Sequence, residues 1–333
     1  MHFMNKKKQE NSIAHISLAL SLLIGSFSLF SITFGLNKND SLSFYADESM
    51  QQSIQTFDQN DTIDFETPIN LALHQNTEDE IEPKYILQQL QKLGGINARS
   101  FLVGDLDTGE VIFERRSSTE FPVASITKYM TAYTAAEILE PNELAFITRD
   151  KLMVEGSRGG FKIGDKLTIR ELIYPLLLVS SNDAGEIIAQ QRMREGFILT
   201  MKDLAYNLGM RNTNFEDPTG LSNNNYSTAR DLFIMMRAIK NTYTQIIDIS
   251  RLTFKENDNY LWKNINKAAG FPEFRGGKTG YTYAARQTSI GYYQIKLAND
   301  QIKNIGIIIL QSNTRQQDTR NILDYLKRYV AYL

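Results

Sequence analysis

The chain has no cysteine, and its three histidines, His2, His15 and His74, all precede the part that reads as folded. Without cysteine there is no disulfide framework, no thiolate nucleophile and no cysteine metal site. Without histidine, the folded body can build neither a Ser-His-acid triad nor a histidine zinc site. A surplus of charge is also missing. Lys and Arg number 36 against 38 Asp and Glu, a net charge of −2 at pH 7, which leaves no electrostatic footprint for nucleic acid. What the chain does have is 333 residues, 42% of them hydrophobic and 22% charged. That is ample material for one large core or two ordinary ones.

The even charge balance is an average over unlike segments. A basic head carrying Lys6, Lys7 and Lys8 precedes "IAHISLALSLLIGSFSLFSITFGL", residues 13–36, in which no residue is charged. A helix of that length crosses a hydrocarbon layer of roughly 30 Å, and the flanking lysines orient the head inward and the body outward. A cleaved signal peptide would have a shorter apolar run and a small-residue cleavage site, and "SLFSITFG" is a poor one. Residues 1–36 are therefore expected to form a head and an uncleaved transmembrane anchor, with a secreted form as the alternative. Residues 37–83 hold eleven acids, from Asp40 to Glu82, against Lys38 alone. They lack sustained apolar periodicity and are expected to form a disordered acidic stalk.

From residue 84 the pattern becomes globular. "YILQQLQKL" has helical spacing, and "ARSFLVGDLDTGEVIFERR" reads as a hairpin with Gly109 at its turn. "SITKYMTAYTAAEILE" predicts a helix ended by Pro141, and "TIRELIYPLLLVSSNDAGEIIAQQ" predicts helical segments broken at "VSSND". Further helices are expected at "TMKDLAYNLGM" and "TARDLFIMMRAIKN". "QTSIGYYQIKL" and "IKNIGIIILQS" suggest an antiparallel pair, and a last helix places Ile322, Leu323, Leu326, Val330 and Leu333 on one face. Strands at both ends with helices between predict an α/β (α+β) body, an antiparallel sheet flanked by helices with a helical subdomain.

With histidine and cysteine excluded, lysine is the remaining base able to activate a serine. Ser125 and Lys128 in "ASITKYMTAY" stand three apart, so a helix starting there stacks them on one face. The positive end of its dipole favours a developing alkoxide. Lysine at its ordinary pKa is protonated and must be desolvated, or set beside another cation, to act as a base. Serine and lysine are common at this spacing, and the pair gains weight from two further clusters. Ser180 and Asn182 follow the apolar run "LIYPLLLV", and "GGKTG" at 276–280 leads toward the C-terminal strands.

S-x-x-K, S-x-N and K-T-G in this order form the signature of penicillin-binding proteins and serine β-lactamases. From about residue 97 onward the chain resembles the D-alanyl-D-alanine carboxypeptidases, the low-molecular-mass penicillin-binding proteins. "GDLDTGEVIFERRSSTEFPVASITKYMTA", "VSSNDAGEIIA", "FEDPTGLSNNNYSTARDL" and "GGKTGYT" carry the likeness. The resemblance implies a β-lactamase/transpeptidase-like fold over residues 84–333 and hydrolysis of the terminal D-Ala–D-Ala bond of peptidoglycan stem peptides. It implies no metal or cofactor, covalent inhibition by β-lactams, and a catalytic domain outside a bacterial membrane. Ser125 would be the acylated nucleophile and Lys128 its base, while Ser180 would relay a proton to the leaving D-alanine. Asn182 would hold Lys128 and the substrate carbonyl. Lys278 would supply the second positive charge that depresses Lys128, and Thr279, with Arg315, would bind the terminal carboxylate. The N–H groups of Ser125 and of Tyr281, beyond Gly280, would form the oxyanion hole.

Within this fold a DD-endopeptidase or transpeptidase would use the same groups, and a β-lactamase would need a deacylation motif that does not stand out between Asn182 and Lys278. A non-hydrolytic penicillin-binding or sensing module is the alternative of another class, and the intact motif residues count against it. "YTYAARQ" after K-T-G departs from the expected run of small residues. Asp217 and Gly220 are equally well read as a capped turn. Tyr281, Tyr283, Tyr292 and Tyr293 read as strand packing, and "GSRGG" at 156–160, lacking the P-loop ending, as a loop beside the cleft.

Overall fold

A computed structural model of the chain describes residues 84–333. The expected anchor at 13–36 and stalk at 37–83 lie outside the described residues. Among the described residues no helix is long and apolar enough to cross a membrane.

Five strands form the central antiparallel sheet: β1 (Ser100–Asp105), β2 (Val111–Arg115), β3 (Phe274–Thr282), β4 (Arg286–Lys296) and β5 (Ile302–Ser312). Their order is β3-β4-β5-β1-β2, so strands from the early and late parts of the described fold meet where β5 pairs with β1. The hairpin predicted at Gly109 joins β1 and β2. The expected C-terminal pair is β4 and β5, with Tyr292 opposite Gly306. The K-T-G segment differs from expectation: it lies within a strand, β3, rather than ahead of one. Gly276 and Gly277 carry no outward sign of a strand, yet Gly277 pairs with Gly291 and Lys278 with Ile290.

Side chains alternate across the sheet and so sort into two cores. Phe101, Val103, Ile307 and Ile309 point to the C-terminal helix, where Ile322, Leu323 and Leu326 meet them. Leu102, Ile290, Ile308 and Leu310 point the other way, into the helical cluster. That cluster comprises α1 (Thr127–Ile138), α2 (Arg149–Leu152), α3 (Ile169–Leu178), α4 (Asn182–Ala189), α5 (Arg194–Leu208), α6 (Ala229–Thr242) and α7 (Thr244–Arg251). The last helix, α8 (Arg315–Tyr329), lies alone on the opposite face. α3 begins with a full capping box, Thr168 with Glu171, and α4 begins at Ser181, whose hydroxyl accepts the Ala184 N–H. The break between them is the expected one at "VSSND".

Helix α1 has no polar face, because every residue from Thr127 to Ala135 is buried. A helix surrounded on all sides sits at the centre of its layer, and its hydroxyls find partners there: Thr131 Oγ1 donates to Pro218 O at 2.5 Å.

Two sequence expectations fail at the termini. "YILQQLQKL" is not helical; Tyr85–Leu87 is a strand paired with Val330–Tyr332. The Tyr85 hydroxyl donates to Asp105 Oδ2 at 2.5 Å, so tertiary pairing overrides local periodicity. The stripe assigned to the last helix stops at Leu326. Val330 belongs to that short strand, and Leu333 is exposed. The short antiparallel pair Leu144–Phe146/Lys166–Thr168 and the hairpin Phe254–Glu256/Leu261–Lys263 carry too few residues to show alternation in the sequence.

Ile308, on the central strand β5, is wholly buried. Ile308→Ala is expected to lower the unfolding free energy by about 2–5 kcal/mol, the usual range for truncating a buried isoleucine, read as a lower denaturant midpoint at an unchanged slope.

Candidate active site

Ser125 lies in the single 3₁₀ turn Ala124–Ile126 that runs into α1. The turn is wedged between two close approaches. Gly220, at φ +87°, passes so near that a Cβ there would stand 2.0 Å from Ala124 O. On the other side β3 comes so close at Gly280 that a Cβ would stand 2.8 Å from Ser125 N. Any side chain at either place would displace the serine. Thr288 Oγ1 on β4 donates to Val123 O at 3.0 Å, and the Val123 N–H donates to Asn225 O at 3.0 Å. Ala124 and Ser180 both adopt left-handed φ, +51° and +59°. Such backbone is costly outside glycine and persists where packing enforces it.

One turn into α1, Lys128 is completely buried. Its Nζ lies 3.1 Å from Ser125 Oγ and donates to Thr219 O at 2.6 Å. Burial pushes the amine down to about 7, and the nearby Arg158 charge adds to that, while Asp217, Asp183 and Glu186 act in the opposite sense. The expectation that Lys278 supplies the depressing charge is corrected here: desolvation is the main cause. Asn182 was expected to hold Lys128. Instead its Nδ2 donates to Glu155 O at 2.6 Å, and the amine's second partner is the Thr219 carbonyl. One Nδ2 hydrogen of Asn182 remains for a substrate carbonyl.

The Thr219 carbonyl is aimed by a carboxylate. Asp217 Oδ1 accepts the N–H groups of Thr219 and Gly220, both at 2.7 Å, and the Thr219 hydroxyl at 2.6 Å. Its Oδ2 accepts the Ser222 N–H at 2.7 Å. Burial raises the Asp217 carboxyl, but these donors outweigh it and hold it below its ordinary value. The sequence reading stopped at a capped turn. The cap is real, and its product is a backbone acceptor for the lysine, which no residue identity announces.

From the opposite wall, Lys278 on β3 donates to Ser180 Oγ at 2.9 Å and to Thr279 O at 2.8 Å. It too is buried, and burial first, then the charges of Lys128, Arg315 and Arg158, push it well below its ordinary value. Arg315 opens α8 and its Nη1 donates to Gly280 O at 2.7 Å, so this arginine is fastened to the K-T-G strand. Thr279 is half-buried, whereas Tyr281 is 65% exposed and Tyr283 94% exposed. Only Tyr293 is fully buried, with Tyr292 half-buried, so the packing reading fails for Tyr281 and Tyr283. A cavity of about 600 Å³ opens beyond Thr279, Tyr281 and Arg315, with Phe271, Gln287 and Arg320 along it.

The structure thus brings Ser125, Lys128, Ser180, Lys278, Thr279, Gly280 and Arg315 to one cleft, with the buried Asn182 two residues beyond Ser180. A neutral amine within reach of a serine hydroxyl can take its proton, and the unpaired positive charge around Lys278 suits an anionic ligand. Because the folded value of Lys128 lies below the ordinary one, the neutral fraction rises with pH through about 7. In protein carrying ¹⁵N-labelled lysine, the Lys128 Nζ resonance is expected to titrate near 7. The assignment is checked by its loss in Lys128→Met, and titration near 10.4, the unperturbed value, would contradict it.

The family model described as D-alanyl-D-alanine carboxypeptidase matches residues 87–304. D-alanyl-D-alanine carboxypeptidase DacF of Bacillus subtilis is 31% identical over 204 residues, covering 57% of this chain and 52% of DacF. The chain therefore spans about half the length of that relative. A D-alanyl-D-alanine endopeptidase of Pseudomonas aeruginosa is 34% identical over 154 residues, covering 45% of this chain and 49% of the relative. The crystal structure of a D-alanyl-D-alanine carboxypeptidase from Mycobacterium tuberculosis is similar with a TM-score of 0.66 at 26% identity, over 72% of this chain and 94% of that one. With three motifs converging on one cleft and a family match over most of the described fold, the chain belongs to the D-alanyl-D-alanine carboxypeptidase family.

Proposed function

We propose that this protein is a serine-type D-alanyl-D-alanine carboxypeptidase that trims the terminal D-alanine from peptidoglycan stem peptides through a Ser125 acyl-enzyme. The observation that carries the reading is the buried Lys128 amine, pushed down to about 7 and standing 3.1 Å from Ser125 Oγ, in a body without histidine. Lys128 takes the hydroxyl proton as Oγ attacks the penultimate D-Ala carbonyl. The Ser125 and Tyr281 N–H groups receive the developing oxyanion, and each such donor is worth about 2.7–4 kcal/mol in comparable sites. Ser180, hydrogen-bonded to Lys278, passes a proton to the departing amine. Thr279 and Arg315 hold the carboxylate of the leaving D-alanine, and Asn182 donates to the acyl-side carbonyl. Water then releases the shortened peptide. β-Lactams follow the first step and stop there.

The apolar segment at 13–36 and the acidic stretch at 37–83 support a body tethered to the outer side of a bacterial membrane, where this substrate lies. A second reading, DD-endopeptidase, is favoured by the cavity beyond Thr279 and Arg315, which leaves room for a leaving group longer than one alanine.

Incubated with a pentapeptide stem, the protein is expected to yield the tetrapeptide by mass spectrometry, and an intact peptide would overturn the carboxypeptidase reading. Release of monomers from a cross-linked dimer instead selects the endopeptidase. Fluorescent penicillin is expected to label the wild type covalently and to leave Ser125→Ala unlabelled. Lys128→Arg, which keeps the charge but cannot shed its proton, should slow labelling by roughly 10²–10⁴-fold.

A further inference from the structure

The loop that carries "GSRGG" is built against the S-x-N wall of the cleft. A turn closes where the Ser157 N–H and hydroxyl both donate to Val154 O, at 3.2 and 2.7 Å. Beyond it the backbone is pinned on either side of Arg158. Asn182 Nδ2 holds Glu155 O, Asp183 Oδ1 accepts the N–H groups of Arg158 and Gly159, both at 3.2 Å, and Trp262 Nε1 donates to Gly159 O at 2.8 Å. The Arg158 side chain itself is exposed, and it has no hydrogen bond or ion pair among the described residues. The backbone against the S-x-N wall is thus fixed, while the guanidinium it carries is left free to meet a ligand.

Its surroundings say what. The charges acting on Lys278 are all positive, namely Lys128, Arg315 and Arg158, so the Lys278 end of the cleft is short of anions, whereas the acids of the cleft act on Lys128. One carboxylate arrives with the peptide's C-terminus at the Thr279–Arg315 end. Arg158 acts on Lys128 as well as on Lys278, and its loop is held by Asn182, the residue that in the proposed reading receives the acyl-side carbonyl. A guanidinium pairs with a carboxylate through two parallel N–H bonds. We propose that Arg158 is a specificity-determining residue that binds a carboxylate on the acyl-donor side of the scissile bond, so that the preferred substrate is a doubly anionic peptide. This rests on the peptidase reading above.

Two peptides ending in D-Ala-D-Ala test it. They differ only at the residue before that pair, whose side chain ends in a carboxylate in one and the corresponding carboxamide in the other. The wild type is expected to favour the acid by about tenfold or more in kcat/KM, close to 1.4 kcal/mol. Arg158→Gln should bring the ratio to within about twofold, and Arg158→Lys should restore part of it, as a point charge without the fork. Both peptides meet the same nucleophile and base, so any change in Lys128 acidity cancels in the ratio. Should Arg158→Gln turn over neither peptide, acylation rates with carbenicillin and benzylpenicillin, which differ by one side-chain carboxylate, supply the same comparison. A wild-type ratio within twofold, or a preference that survives in Arg158→Gln, overturns the proposal. A wild type that neither takes up penicillin nor shortens either peptide overturns the peptidase reading itself.

Discussion

One amine deprived of water organises this cleft. Lys128 sits on a helix buried on every side, and its depressed basicity follows chiefly from that position. Holding a lysine at about 7 rather than 10.5 opposes folding by on the order of 5 kcal/mol at and below neutral pH. The sign follows from proton uptake. Between the folded and unfolded values the unfolded chain binds the extra proton, so stability rises with pH across that window and the full opposition is felt below it. Much of the surrounding structure holds the amine in place despite this: the Thr219 carbonyl, the Asp217 carboxylate that aims it, and Gly220 beneath Ala124.

The two lysines of the cleft are alike in burial and unlike in company. Lys128 has three acids acting on it and a hydroxyl within reach, whereas the charges acting on Lys278 are all positive. The Lys128 charge acts on Lys278, and amines coupled in this way titrate as a pair, a proton on one disfavouring a proton on the other. An anion arriving at the Thr279–Arg315 end stabilises charge on Lys278 before it affects Lys128. Occupancy of that end and neutrality of Lys128 are thereby coupled by electrostatics, with no moving part between them.

The sequence made the chemistry more legible than the architecture. Ser125 and Lys128 stood out because the absence of histidine and cysteine left few ways to activate a hydroxyl, Ser180 and Lys278 stood out through the ordered motifs that carry the family resemblance, and the structure brings all four together. Helices α3 and α4 and the pair β4–β5 were visible because their apolar periods are long and their caps are chemically marked. β3 escaped because Gly276 and Gly277 have no side chains with which to alternate, and Tyr85–Leu87 because its partner lies at the far end of the chain. The contact between Lys128 and Thr219 could not be read at all, since a carbonyl belongs to every residue. Arg158 was visible only as part of a glycine-rich loop, and its importance depends on Asp183 and Trp262, remote in sequence and adjacent in the fold.

The antiparallel pairing of Tyr85–Leu87 with Val330–Tyr332 has a topological consequence. The Leu333 N–H donates to Lys84 O at 2.7 Å, so the two ends of the described fold lie side by side. Joining them with a short linker closes a small loop and adds little entropic cost. Reopening the ring at the exposed hairpin tip between Glu256 and Leu261 cuts no strand of the central sheet and leaves both walls of the cleft continuous. The described fold is in this sense a circle, and the groups that line its cleft keep their places wherever that circle begins.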